Sequence, residues 1–184
     1  LNPAYNSDIN NIKENDWVLY DSDASVIVFE SAHVVMDLDL RPIIEEHIAR
    51  HEDITLVYKH VTDADQEFRK SNVYTLDKDG YVTEIHTNDG QSKEANVSLE
   101  VWIINRTTLA DIIARHAMVD ASYGMREMIG YLAKNKLVKM HACEYKGYAR
   151  CFDSLENYVK YSFELLNRDV AAQLFKSDWP IFTL

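Results

Sequence analysis

The sequence has little glycine, no excess of basic residues and no long apolar run, and each shortage argues against a class of protein. The 5 glycines among 184 residues are not spaced as a phosphate-binding glycine loop. A net charge of -11 argues against nucleic acid and anionic membranes as partners, because both need clustered lysine and arginine. No run approaches the roughly 20 apolar residues of a membrane-spanning helix.

Cysteine is also scarce, and the two thiols present are too few for a disulfide framework. We therefore expect a reducing, cytoplasmic setting, with Cys143 and Cys151 as small buried side chains rather than a redox pair. The hydrophobic content of 47% suits one domain or a large part of one. The chain begins at Leu1 without a signal-peptide pattern, which we interpret as a processed or truncated protein.

One segment organises the interpretation of the rest. Residues 26–29 form an unbroken apolar run, typical of a strand buried on both faces at the centre of a parallel sheet. Residues 30–33 turn polar, and ligands bind at the carboxyl ends of such strands. A helix is predicted at residues 41–48, capped by Asp39, and a second central strand at residues 54–61. Strand, helix and strand predict a βαβ unit.

The remaining pattern alternates strands and helices. Residues 73–86 predict a hairpin turning at Asp79 and Gly80, and residues 97–105 and 137–145 predict further strands. Helical spacing appears at residues 107–116 and 123–132 and again after a cap at Asp153 and Ser154. The expected fold is α/β, with a mixed, mainly parallel sheet between layers of helices.

Several groups have a structural interpretation beside a functional one. His47 and His51 have the spacing of a zinc-binding pair, but no third ligand is evident and we expect a solvated helix face. The acidic residues 63–67 are expected to be solvated. The aromatic residues around Tyr158 and Phe163 suit core packing or a subunit face better than a cofactor site.

Five stretches carry a resemblance to a known family, and they are residues 26–33, 52–58, 75–85, 98–105 and 145–154. In this order they resemble the glucose-1-phosphate adenylyltransferase (ADP-glucose pyrophosphorylase) family. Each is weak alone, and the ordered set is specific. The first resembles the family's strand ending in Ser-Gly-Asp-His, the third its Asp-Gly hairpin, the fourth its Ser-Met-Gly strand and the fifth its Gly-Tyr-Trp-x-Asp-Val-Gly segment.

The resemblance implies a nucleotide-diphospho-sugar transferase fold, Rossmann-like in type. It also implies that residues 1–184 are a partial nucleotidyltransferase domain. The family's glycine-rich nucleotide loop would precede residue 1, and its left-handed β-helix would follow residue 184. A domain without its first strands is expected to expose a sheet edge or apolar surface, which favours self-association.

The family's reaction joins ATP and glucose 1-phosphate into ADP-glucose and pyrophosphate, and the resemblance implies that two aspartates hold the Mg²⁺. Those positions here are Ala32, which has no ligand atom, and Cys151, whose soft thiol Mg²⁺ disfavours. We therefore expect no catalytic residues, no metal and no cofactor in this chain.

Other substrate positions implied by the resemblance also differ. Asn88 stands where a lysine would meet the sugar phosphate. Glu100 replaces the glycine of Ser-Met-Gly, where a side chain facing the pocket would repel phosphate and fill space. Ser98 is a candidate for a retained contact with a sugar hydroxyl. Ser31 and His33 complete the implied set, and His33 has an equal interpretation as a structural histidine.

Other carboxylates are candidates to replace the lost aspartates. Asp37 and Asp39 follow the first motif, and Asp153 lies two residues beyond Cys151. Two residues along a strand cover about 6.6–6.8 Å, which Mg²⁺ coordination near 2.1 Å tolerates only with remodelling.

Three functions remain open. The first is a non-catalytic, regulatory-type subunit in glycogen biosynthesis, which the resemblance pairs with a catalytic paralogue in a hetero-oligomer, expected to be a tetramer. The second is an active adenylyltransferase that uses displaced carboxylates. The third is a module that senses a sugar phosphate or nucleotide as an effector.

Overall fold

The computed structural model describes residues 7–119 and 123–177 of the chain. Within them, helices and strands alternate along most of the sequence. The helices are α1 (Asp8–Glu14), α2 (Trp17–Asp21), α3 (Arg41–Ala49), α4 (Arg106–Val119), α5 (Met125–Lys134), α6 (Leu155–Glu164) and α7 (Arg168–Leu174). The strands are β1 (Val26–Glu30), β2 (Val34–Met36), β3 (Ile54–Val61), β4 (Asn72–Leu76), β5 (Val82–Thr87), β6 (Ala95–Asn105), β7 (Met140–Glu144) and β8 (Ala149–Cys151).

The main sheet has the strand order β5-β4-β6-β3-β7, and β1 also pairs with β6. The predicted α/β class is confirmed, but the prediction of a mainly parallel sheet is wrong. Within the described residues only β3 and β7 pair in parallel, and the other pairs are antiparallel. Strands β2 and β8 form a separate two-stranded antiparallel sheet.

The error has a definite physical origin in β6. This strand of 11 residues lies between β1 and β3 and runs antiparallel to both, so β1 and β3 run in the same direction without pairing with each other. Strands β1 and β3, connected through α3, are therefore parallel as the predicted βαβ unit requires, but β6 lies between them in the sheet. Strand β1 has one neighbour within the described residues and is only half-buried, so it is not the doubly covered central strand that its sequence indicates.

Successive side chains of β6 pack alternately into two hydrophobic cores on opposite faces of the sheet. Trp102 and Ile104 pack with α4 and α5, whereas Val101 and Ile103 pack on the face that α3 covers. This period of two is what an extended strand imposes when both of its faces are buried. The sheet is therefore covered on both sides, as an α/β architecture requires.

Local signals in the sequence place several elements correctly. The hairpin β4–β5 turns at Gly80, whose φ of 84° is the left-handed value that glycine adopts without steric cost. Ser154 caps α6 by accepting the Asn157 backbone N–H at 3.1 Å. Leu40, not Asp39, is the N-cap of α3, but Asp39 Oδ1 accepts the Arg41 backbone N–H at 3.0 Å. Of the helices in the described ranges, none is long and apolar enough to cross a membrane.

Candidate functional site

The candidate site lies at an interruption along one edge of β6. Strand β3 occupies the other edge, so β1 and β4 must share this one. Strand β1 pairs with residues 101–105, and β4 pairs at Val97. Residues 98–100 lie between the two partners, where the edge is free of ladder pairing and neighbouring segments can form a cavity.

A β-bulge marks the same place. Tyr58 pairs with Ser98 and Val57 pairs with Val101, so Leu99 and Glu100 are two extra residues on β6. Glu100 has a φ of 54°, in the left-handed region that favours glycine. The resemblance aligned Glu100 with a glycine, and the backbone here has the conformation that such a glycine would adopt.

Hydrogen bonds fix the backbone of the bulge. Ser98 Oγ accepts the Glu100 backbone N–H at 3.0 Å and the Tyr74 hydroxyl at 2.6 Å. The Ser31 backbone N–H donates to the Glu100 carbonyl oxygen at 3.2 Å. Ser98 is buried, and its hydroxyl accepts both of its hydrogen bonds from residues of the fold, Tyr74 and Glu100. The hydroxyl therefore stabilises the bulge.

A cavity of about 600 Å³ opens beside Glu100, and we call it the bulge cavity. Four of the site positions considered from the sequence come together in it: His33, Glu100, Cys151 and Asp153. Its complete lining is His33, Gln66, Arg69, Lys70, Ser71, Glu100, Arg126, Cys151, Asp153, Ser154, Glu156, Asn157 and Lys160.

The Glu100 carboxylate lies between two groups that can carry positive charge. Its Oε2 is 3.6 Å from His33 Nε2, and its Oε1 is 3.8 Å from Arg126 Nη1. The Glu100 side chain is only 12% exposed, so these charges interact across a partly desolvated space. The other His33 nitrogen, Nδ1, is 2.7 Å from Ser31 Oγ, which fixes the ring.

Cys151 does not suit a hard metal ion. It is 1% exposed and packs in the core, where it pairs with Val34 in the β2–β8 sheet. Burial, with smaller contributions from Asp153 and Glu100, raises the pKa of its thiol to about 12. The thiol is therefore neutral at pH 7, and a neutral thiol is a poor ligand for Mg²⁺. Together with the methyl group of Ala32, this donor set does not fit the metal that the resemblance implies.

The three fallback carboxylates are separated in the fold. Asp153 lines the bulge cavity, and its Oδ1 accepts the Asn157 side-chain N–H at 2.8 Å. Asp37 is buried and pairs with the exposed Lys176, whose Nζ lies 2.7 Å from its Oδ2. Asp39 is engaged with Arg41 at its Oδ1 and Oδ2, which lowers the pKa of Asp39. Neither Asp37 nor Asp39 lines the cavity.

Asn88 is placed differently from the other implied substrate residues. It is buried, and its side-chain N–H groups donate to the carbonyl oxygens of Ala64, Glu67 and Phe68 at 2.9–3.2 Å. Its Oδ1 accepts the Gly90 backbone N–H at 3.0 Å. The amide therefore holds the loop between β3 and β4 and does not line the bulge cavity.

The same loop overturns one expectation. The acidic residues 63–67 were expected to be solvated, but Glu67 is buried and accepts the Tyr161 hydroxyl while pairing with Lys160. This pairing attaches the loop to α6, and both segments contribute walls of the cavity. Helical spacing could not reveal the pairing, because it joins residues 93 and 94 positions apart.

Sequence reasoning missed the cationic side of the cavity. Arg126 is on α5 and Lys70 lies in the loop before β4, and both also line a wider cleft of about 1210 Å³ between β5 and α5. The position of Arg126 on the polar side of an amphipathic helix was a usable signal. No sequence signal indicated that Lys70 lines the cavity, because its position there depends on a backbone φ of 69°.

The two histidines considered as a zinc pair have separate environments. His47 is buried, with Nδ1 2.8 Å from Thr55 Oγ1 and Nε2 3.1 Å from Asn105 Oδ1. Both of its nitrogens are therefore occupied, and the expectation of a solvated helix face is wrong for His47, which has a structural role. His51 follows the helix in a left-handed conformation. Across the described ranges, no cluster of three or more potential metal-ligating side chains is present.

Comparisons with known proteins extend the sequence resemblance. No family model matches the chain. It is 24% identical over 161 residues to the glucose-1-phosphate adenylyltransferase of Thermomicrobium roseum, covering 86% of this chain and 36% of that protein. The Thermotoga maritima glucose-1-phosphate adenylyltransferase is 20% identical over 182 residues, covering 97% and 42%. The glycogen biosynthesis protein GlgD of Bacillus subtilis is 33% identical over 104 residues, covering 55% and 27%.

These matches span most of the chain but less than half the length of each relative. The chain is a distant homologue of the glucose-1-phosphate adenylyltransferases and of the glycogen biosynthesis protein GlgD.

Proposed function

We propose that this chain is the partial nucleotidyltransferase-like domain of a non-catalytic, regulatory-type subunit in glycogen biosynthesis. It would assemble with a catalytic paralogue and alter how that subunit responds to substrates and effectors. The proposal draws on the distant homology to both glucose-1-phosphate adenylyltransferases and GlgD.

The observation that carries the proposal is the state of the two positions that the resemblance assigns to Mg²⁺ binding. Ala32 offers no donor atom, and the Cys151 thiol is buried with a pKa raised to about 12. Adenylyl transfer depends on charge stabilisation at the attacked phosphorus, which a metal in fixed geometry supplies. A chain without hard oxygen donors at those positions lacks that source of stabilisation.

Catalysis by displaced carboxylates is the competing function, and the cavity offers it only one of the three candidates. Asp153 lines the cavity, whereas Asp37 and Asp39 are each paired with a cation elsewhere. Glu100 is a further carboxylate in the cavity, but it faces His33 and Arg126. An anion placed between two such groups is better suited to balancing their charge than to holding a metal.

The exposed side of α6, together with the turn that follows it, supports the assembly part of the proposal. Five large apolar side chains at helical spacing are between 46% and 79% exposed, and contiguous apolar surface of this kind is typical of interaction sites. They are Leu155, Tyr158, Val159, Phe163 and Leu166.

The decisive experiment measures ADP-glucose formation from ATP and glucose 1-phosphate with Mg²⁺. The full-length protein is assayed alone, then mixed with the catalytic paralogue from the same cell. We expect no turnover alone and altered substrate or effector dependence in the mixture. Turnover alone that is abolished by chelating Mg²⁺ would refute the proposal and would make Asp153 the first residue to replace.

A further inference from the structure

We propose that the wider cleft between β5 and α5 binds an extended, acidic segment of a partner protein, which adds to the free edge of β5 as a further strand. We call this cleft of about 1210 Å³ the β5–α5 cleft. It shares no lining residue with the exposed apolar surface at α6, so the proposal does not depend on the regulatory role proposed above.

The lining residues show that the β5–α5 cleft runs along the edge of β5. Residues 83–87 line it without a gap. Because successive side chains of a strand point to opposite faces, five consecutive residues line one cleft when it follows the edge of the strand. The cleft is therefore a trough between a strand edge and a helix. The opposite wall is one face of α5, whose residues have helical spacing: Arg126, Glu127, Gly130, Tyr131 and Lys134.

The edge of β5 that faces the cleft has no strand partner. Along its other edge β5 pairs with β4, and within the described residues no second strand pairs with residues 82–87. A bridge between Tyr81 and His141 closes only the end nearest the hairpin turn. Alternate residues of an edge strand direct their N–H and C=O groups outward, and β5 has no proline or lysine that would discourage pairing. Addition of an extended peptide to such an edge is a recurring mode of recognition.

The cleft is basic although the protein is acidic. The chain has 30 Asp and Glu residues against 19 Lys and Arg, whereas four Lys and Arg and only two Glu line the cleft. One of the two, Glu127, accepts the Gly124 backbone N–H at 3.0 Å. Lys70, Lys134 and Lys136 are exposed, and none of them forms an ion pair with a carboxylate of the described residues. This charge favours a partner segment that carries carboxylates.

Gly130 keeps the middle of the helix wall open. It lies four residues after Arg126 and four before Lys134, so the three share one face of α5. Apart from its chain neighbours and the helix backbone, a Cβ added at Gly130 would meet none of the described atoms within 4 Å. Glycine disfavours a helix interior, and no close contact here requires it. A larger side chain at this position therefore narrows the cleft without disturbing the packing of the fold.

The length of the free edge defines the probe. Residues 83–87 extend over about 17 Å at roughly 3.4 Å per residue, which suits a peptide of about six residues. Every second side chain of a strand points to the same side, so glutamate at alternate positions would face the basic wall. The probe is a fluorescent peptide with blocked ends in which glutamate and valine alternate.

The test measures the fluorescence anisotropy of this peptide during titration with the full-length protein. Gly130→Leu should weaken binding at least about tenfold, because the leucine side chain occupies the trough. The matched control is Ala114→Leu, the same kind of enlargement at an exposed position of α4 that does not line the cleft. It should stay within about twofold of the parent protein. Circular dichroism establishes that both variants are folded.

Two further peptides separate the contributions of charge and backbone. Replacing each glutamate of the probe by glutamine should weaken binding at least about fivefold, because several ion pairs are lost. Replacing each valine by proline removes backbone N–H groups that a strand donates, and it should abolish binding. On the protein, Lys134→Gln should weaken binding of the glutamate peptide about twofold to fivefold, and Lys13→Gln on α1, outside the cleft, should leave it unchanged.

Several results would overturn the proposal. They are absent binding of the glutamate peptide, equal binding of the glutamine or proline peptide, parent-like binding by Gly130→Leu, and an equal loss in Ala114→Leu. Self-association of the parent protein that Gly130→Leu abolishes would make a second copy the occupant and would also overturn it. The titrations contain neither ATP nor the catalytic paralogue, so their outcome is separate from that of the assay of ADP-glucose formation.

Discussion

Replacing Asn88 distinguishes a residue that holds a loop from one that meets a substrate. In the structure its amide donates to three backbone carbonyl oxygens of the loop between β3 and β4. Asn88→Ala removes these bonds, and two of the carbonyls belong to Ala64 and Phe68, which are 0% and 1% exposed. Water cannot readily replace the lost donors at residues so deeply buried.

The size of the effect follows from these contacts. Each net hydrogen bond contributes about 1 kcal/mol, and each carbonyl left buried without a partner costs about 1–3 kcal/mol. Because the two amide hydrogens are shared among three acceptors, we expect the free energy of unfolding to fall by about 3 kcal/mol. For a chain of this size that corresponds to a decrease in Tm of roughly 6–12 °C.

Urea denaturation followed by circular dichroism measures this change, with Asn135→Ala as the control. Asn135 is exposed, and its side chain donates to one helical carbonyl, that of Tyr131, at 2.9 Å. The control should lose at most about 0.5 kcal/mol, as is usual for surface substitutions. Equal losses in the two variants would show that the Asn88 amide does not hold the loop, and would return Asn88 to the group of substrate-site residues.

Three further predictions test other parts of the structure. His47→Ala should lower the free energy of unfolding by about 3 kcal/mol, because it leaves the buried Thr55 hydroxyl and the partly buried Asn105 amide oxygen without their partner. His51→Ala should lower it by less than about 0.5 kcal/mol, and added zinc that stabilises only the protein with both histidines would contradict this. In the same urea assay, the free energy of unfolding of Glu100→Gly should exceed that of Glu100→Ala by about 1 kcal/mol. The left-handed backbone penalises a Cβ by about 1–2 kcal/mol, and glycine loses about 0.5–1 kcal/mol of that gain in chain entropy. Equal stability of the two variants would argue against the bulge. At pH 8, a thiol reagent should label Cys143 faster than Cys151 in the folded protein. Cys151 is buried and its pKa is raised to about 12, so almost none of this residue is present as thiolate. Equal labelling rates before urea is added would contradict the buried placement of Cys151.

The sequence specified those parts of the fold that depend on neighbours along the chain. The hairpin at Gly80 and the cap at Ser154 require particular residues at particular positions, and both were placed from local pattern alone. Strand β3 was likewise visible in its β-branched and aromatic residues. These elements carry their own signals because their geometry is local.

The direction of the sheet was not predictable in the same way. An apolar run such as β1 is compatible with a parallel or an antiparallel neighbour, and its residues do not indicate that β6 is that neighbour. The long-range pairing of Glu67 with Tyr161 gave no periodic signal either. A charged residue in an acidic run is usually solvated, and Glu67 is buried here because α6 packs against it.

The candidate site shows the same division. His33 was found because ligands gather where a strand ends, and Asp153 because it lies two residues beyond the Cys151 position of the resemblance. Lys70 and Arg126 were missed because their contribution depends on how a loop and a helix pack around the bulge. Asn88 was identified through the resemblance, and the structure gives it an internal role that a motif alone does not reveal.

The bulge in β6 also bears on how such a protein could diverge. Because Leu99 and Glu100 are outside the ladder of strand pairs, a substitution at position 100 leaves the register of β3 and β6 unchanged. The backbone bonds of this residue, to Ser98 and from Ser31, involve no atom of its own side chain. Among residues that tolerate the left-handed backbone, selection can therefore exchange the side chain that lines the cavity without changing the strand pairing. The chemistry of the cavity becomes a trait that a lineage can alter by a single replacement.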